Sequence, residues 1–150
     1  MRILSYYMFV ATAIAIGAAS NVAFATDVVG NVKTLEGEAT LVSGGKAIPV
    51  ALGAEIHIND ILQTSLNGAV GVTFRDNSRI SIGPDTDFYV EDYLFDPHNN
   101  KLSFVSNIQK GTLEYVSGTI AKLAPDSVSM KTPSGAIGVR GTRFVLKVSD

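Results

Sequence analysis

Apolar side chains return at every second position through much of this chain, and that alternation restricts it to strands before anything else is considered. Val70, Val72 and Phe74 alternate with Gly71 and Thr73, and Ile80 and Ile82 with Arg79 and Ser81. Phe88 and Val90 alternate with Asp87, Tyr89 and Glu91; Leu113 and Tyr115 alternate with Thr112 and Glu114. Near the C-terminus, Phe144, Leu146 and Val148 alternate with Arg143, Val145 and Lys147. Successive side chains of a strand point to opposite faces, so each set buries one face and leaves the other wetter. No stretch beyond residue 25 sustains the spacing of an amphipathic helix.

Turn chemistry separates these runs. Gly44-Gly45 lies between Ala39–Val42 and Ala47–Val50 and predicts a hairpin. Arg75-Asp76-Asn77-Ser78 joins two alternating runs, with Asn77 the residue best suited to positive φ. Gly83-Pro84-Asp85, Asp96-Pro97-His98-Asn99-Asn100, Ala124-Pro125-Asp126 and Thr132-Pro133-Ser134-Gly135 mark further loops. Short strands at regular spacing predict an all-β domain. Glycines at strand ends and inside strands favour a solenoid-like arrangement of antiparallel or stacked strands, with a β-sandwich as the alternative.

The first 25 residues have the three parts of a secretory signal: Arg2 at a positive start, an apolar run from Tyr6 to Ala19, and Ala23-Phe24-Ala25 before the expected cut. Residues 26–150 then form the expected domain, and the exported product is expected in the periplasm or outside the cell. The formal net charge of −2 gives no basic face for nucleic acid and no polybasic stretch for a membrane surface. Cysteine is absent, so disulfides play no part in stability.

Two segments carry a resemblance. One runs from Asn59-Asp60-Ile61-Leu62-Gln63-Thr64 through the Asp76-Asn77-Ser78 hairpin to Phe88. The other is Lys131-Thr132-Pro133-Ser134-Gly135-Ala136-Ile137-Gly138-Val139-Arg140-Gly141-Thr142-Arg143-Phe144. Together they resemble the FecR domain, over about Val28 to Val148. The resemblance implies a periplasmic, all-β, solenoid-like fold. In full-length regulators of that family the domain receives a signal from an outer-membrane transducer and passes it towards a sigma factor. This chain carries Asn77 where the family usually has glycine, and it shows no cytoplasmic region ahead of the leader, so direct contact with a sigma factor is not expected. A non-enzymatic interaction or signalling role in the envelope is.

The residues that carry the resemblance are expected to be structural: Asp60, Thr64, Asp76, Asn77, Ser78, Thr132, Pro133, Val139, Arg140, Gly141, Thr142 and Phe144. Asp60, with Thr64, is expected to cap a turn between Ile58 and Ile61, and Arg140 to cross between strands and satisfy backbone carbonyls. Tyr89 and Tyr93 are expected to face outward as a small contact surface. The acidic run Asp85, Asp87, Glu91, Asp92 and Asp96 has the oxygen chemistry of a calcium site but lacks the spacing of a calcium loop, and reads as a solvated edge. His57 and His98 are the only histidines, too few for zinc without distant carboxylates. No strained Gly-x-Ser-x-Gly turn is present. No catalytic residue, metal or cofactor is therefore assigned. The expected partner is another envelope protein, bound by strand addition at an open edge that also permits self-association. A small-ligand or glycan binder and a structural envelope protein are the alternative functions.

Overall fold

The alternating segments become strands in a computed structural model that describes residues 27–149; the expected leader and its expected cut after Ala25 lie outside the described residues. The strands are β1 (Val28–Glu36), β2 (Ala39–Ser43), β3 (Lys46–Pro49), β4 (Glu55–His57), β5 (Ile61–Thr64), β6 (Ala69–Phe74), β7 (Arg79–Ile82), β8 (Asp87–Asp96), β9 (Lys101–Val116), β10 (Val128–Thr132), β11 (Gly135–Gly138) and β12 (Arg143–Val148). One five-residue helix, α1 (Thr119–Leu123), follows β9 and is too short to leave a periodic signature in the sequence. The all-β expectation holds.

The strands form one curled sheet, a half-barrel, in which β9 is the shared spine. Its first half pairs with β8 and, in parallel, with β10. Its second half pairs with β7 on one side and β12 on the other. Two arms result. The β1 arm runs β4-β1-β6-β7-β9-β12, and the β2 arm runs β3-β2-β5-β8-β9-β10-β11. The chain passes between arms repeatedly: β5 and β8 are neighbours in one arm, and the hairpin β6–β7 between them in sequence belongs to the other.

The spine changes arm at Gly111. Its buried residues are Phe104, Ser106 and Ile108 before that point and Leu113 and Tyr115 after it, a change of parity. Gly111 has φ +97, and a Cβ there would lie 2.1 Å from the Thr86 hydroxyl oxygen, so only glycine fits this bend. The two inner faces meet in a single core. Phe74 of the β1 arm packs on Phe104 of the β2 arm at 4.8 Å between ring centroids and on Tyr93 at 5.9 Å. Each such buried side chain contributes about 1.5–3 kcal/mol relative to exposure. The predicted hairpin forms as β2–β3, with positive φ at both Gly44 and Gly45 to match the strand twist.

Candidate functional site

The β6–β7 hairpin carries Asp76 into the core. Asp76 and Ser78 are fully buried, and Asn77 between them adopts φ +65, the left-handed conformation expected of it. The Asp76 Oδ1 atom accepts from the Ser78 backbone N–H (3.2 Å), the Ser78 hydroxyl (2.7 Å) and the Tyr93 hydroxyl (3.1 Å). Its Oδ2 accepts from the Ile120 N–H (3.2 Å), and its backbone carbonyl accepts from the Thr119 N–H (2.8 Å). The Asp76 N–H in turn donates to the Tyr93 hydroxyl oxygen at 2.9 Å. A buried carboxylate is tolerable only with its lone pairs used, and here neutral dipoles use them. The result is a clamp that holds the start of α1 and strand β8 against the hairpin. Gly118 closes it: a Cβ there would lie 2.3 Å from the Ser78 nitrogen and 2.5 Å from the Asp76 carbonyl oxygen. Burial first, and then the Asp76 charge, push the Tyr93 hydroxyl well above the ordinary phenol range.

The other residues of the first segment also tie loops. Asp60 caps its turn as expected: Oδ2 accepts the His57 N–H at 2.9 Å and lies 3.1 Å from His57 Nδ1. Thr64 is not its partner. The Thr64 hydroxyl donates to the Gly83 carbonyl (2.6 Å) and accepts the Thr86 N–H (2.9 Å), so it joins β5 to the segment entering β8.

The C-terminal segment is arranged differently. Thr132 caps the β10–β11 turn: its hydroxyl donates to the Gly135 carbonyl (3.0 Å) and accepts the Ser134 N–H (3.2 Å), while Pro133 is exposed at the tip. Val139 is buried, and its N–H donates to the Val128 carbonyl at 3.2 Å. The chain then crosses from the edge of the β2 arm to the edge of the β1 arm. Ser117 clips this crossing: its N–H donates to the Thr142 carbonyl (2.9 Å), and its hydroxyl donates to the Gly141 carbonyl. Arg140 does not satisfy carbonyls between strands. Its side chain is 78% exposed and pairs at 3.0 Å with Asp126, itself 86% exposed. The backbone clip by Ser117 frees the guanidinium for solvent. Phe144 then packs on Tyr115, at 5.4 Å between ring centroids.

Strand β12 ends this segment as an open edge. It pairs with β9 on one side and with no other strand among the described residues. Phe144, Leu146 and Val148 pack half-buried against the core. Arg143, Val145 and Lys147 are exposed on the opposite face, Val145 at 65%.

Tyr93 corrects the expected contact surface. It is 6% exposed, buried beside Asp76, although simple alternation from Phe88 sends it outward. The reason is a β-bulge: Val90 faces Ser106 and Asp92 faces Val105, so Glu91 is an extra residue and the parity of β8 reverses there. Tyr93 reaches the surface only as a wall of an open hollow of about 510 Å³, with Ile58, Arg75 and Phe95 among its other walls. Tyr89, before the bulge, is half-buried and aligned between Ile61 and Asn107.

The acidic run is dispersed along β8 and its flanks. Asp85 pairs with Lys110 (2.7 Å), Glu91 with Lys131 (2.6 Å), Asp92 accepts the Ser103 hydroxyl (2.5 Å), and Asp96 accepts from Asn99 (2.7 Å). Among the described residues no three His, Cys, Asp or Glu side chains converge as a metal site. Ser117 and Gly118 carry no mark in the strand spacing; their signal is a Ser-Gly pair just after the alternating run that holds Leu113 and Tyr115.

No curated protein and no solved structure matches the chain. A family model described as FecR protein matches residues 60–150, the stretch that holds the Asp60 turn, the Asp76 clamp and the crossing to β12. By that match the chain belongs to the FecR family.

Proposed function

We propose that this FecR-family chain is a non-enzymatic signalling module of the cell envelope, periplasmic once residues 1–25 are removed, and that it works by binding another envelope protein. Membership of the family supports a signalling or regulatory role. The observation that carries the reading is the open edge of β12, formed by the end of the family-matched segment. An edge strand exposes backbone donors and acceptors that a partner strand satisfies. The half-buried Phe144, Leu146 and Val148 beside it offer the apolar surface that such a strand would finish burying.

The test is a photo-crosslinking residue placed in turn at positions 143, 145 and 147 in living cells, with position 52 as control because Leu52 is an exposed loop residue. One envelope protein captured from all three edge positions and not from position 52 supports the reading. Capture no different from the control overturns it. Intact-mass measurement of the exported chain checks the compartment: the expected product begins at Thr26, and a mass that retains residues 1–25 contradicts the expected cut.

A further inference from the structure

The chemistry of β12 restricts what can add to it. Its outward face presents Arg143 and Lys147 on either side of Val145. Cross-strand register extends this pattern inward: Arg79 of β7, Val116 of β9 and Arg143 of β12 stand in one row, so a second exposed guanidinium lies two strands from the edge. The anion in this group is Glu114, which pairs with Arg143 at 2.7 Å. Neither Arg79 nor Lys147 makes an ion pair among the described residues. The edge is therefore cationic on one face and apolar on the other, in a chain whose formal net charge is −2.

The same charges oppose pairing of β12 with a second copy of itself. Antiparallel self-pairing centred on Val145 would set Arg143 of each copy directly against Lys147 of the other. The in-phase register centred on Leu146 would set each Lys147 against Val145 and bring the two ammonium groups onto a diagonal, where long side chains still interact. Like charges opposite one another in a ladder are destabilising, and basic residues on edges are a recognised defence against edge-to-edge association. The other open edge of this segment, β11, is Gly-Ala-Ile-Gly and carries no charge.

We infer that the β12 edge selects an extended protein segment in which acidic residues alternate with apolar ones, and that it excludes a second copy of this chain. This rests on the strand-addition reading above. The acidic positions of the partner would face Arg143 and Lys147, and its apolar positions would cover Phe144, Leu146 and Val148. Charge then sets register as well as identity, because a slip of one residue would turn the carboxylates towards the apolar face.

Two short blocked peptides test this, one alternating valine with glutamate and the other alternating valine with lysine, titrated against the purified exported chain. The glutamate peptide is expected to bind roughly tenfold more tightly or better, to weaken as salt rises, and to slow amide exchange in β12. The double variant R143E/K147E is expected to reverse the preference, with an unchanged circular dichroism spectrum showing that it folds. Equal binding of both peptides overturns the charge selection while leaving strand addition intact. Binding of neither overturns the inference, and the in-cell crosslinks at position 145 then decide separately whether the edge has a partner. A dimer in sedimentation that is lost on Val145→Lys also overturns it.

Discussion

The two halves of the family pattern have opposite environments. Asp76 and Ser78 are drawn into the core on either side of the exposed Asn77, and one carboxylate gathers donors from the hairpin, β8 and α1. Arg140-Gly141-Thr142 lies on the surface, clipped through its backbone by Ser117, with its charge in solvent. A charged residue in a family motif can therefore mark either a buried node or a surface crossing. The difference lies in what its side-chain atoms touch. Stability should be sensitive to the first segment and tolerant at the second.

The largest effect is expected from Asp76→Ala, which would leave the Ser78, Tyr93 and Ile120 donors without an acceptor in a dry site. A loss of about 3–5 kcal/mol is expected by denaturant unfolding, because removing one partner of a buried polar cluster strands the rest. A loss below about 1 kcal/mol would show that the buried clamp contributes little to stability. Gly118→Ala is expected to cost about 1–3 kcal/mol, since its Cβ meets backbone atoms of the hairpin and not the end of a flexible side chain. A melting temperature equal to that of the parent chain would show that the clamp has slack.

Tyr115 makes the stability of the buried side depend on pH. Its hydroxyl is buried and, near Ser117 and Gly118, completes no hydrogen bond. Burial first, and then the Asp76 charge, push it from an ordinary 10.0 up to about 12. A phenol whose pKa is raised in the folded state holds its proton more tightly there than in the unfolded chain. Its stabilisation is thus complete below about pH 10 and is lost as pH rises towards 12. Tyr115→Phe is expected to change stability by less than about 1 kcal/mol at neutral pH and to make the alkaline fall shallower. An alkaline limb identical to that of the parent would remove Tyr115 as a contributor. The smallest effect is expected from Arg140→Ala, at or below about 0.5 kcal/mol, because both members of its ion pair are exposed. A larger loss would show that the surface crossing carries stability after all.

Much of this was legible from spacing and turn chemistry. The alternating runs marked the strands, Gly44-Gly45 marked its hairpin, and Asn77 marked its own left-handed conformation. Asp60 was legible as a turn cap because an aspartate bonds amides close to it in sequence. Tyr93 was not legible: one extra residue at Glu91 reverses every later side chain of β8, and a bulge leaves no composition signal. Nor was the partnership of Asp76 with Ile120, because 44 residues separate them.

What depends on neighbours along the chain could be read from the sequence alone: strand periodicity, turn residues and the family resemblance. The tertiary structure decided what depends on distant segments meeting: that Gly111 bends one strand into two arms, that Asp76 is a buried clamp while Arg140 is not, and that β12 has a cationic open edge. The physical reason is that local conformation follows from sterics and hydrogen bonds within a few residues. Burial and exposure follow from which surfaces the whole chain brings together.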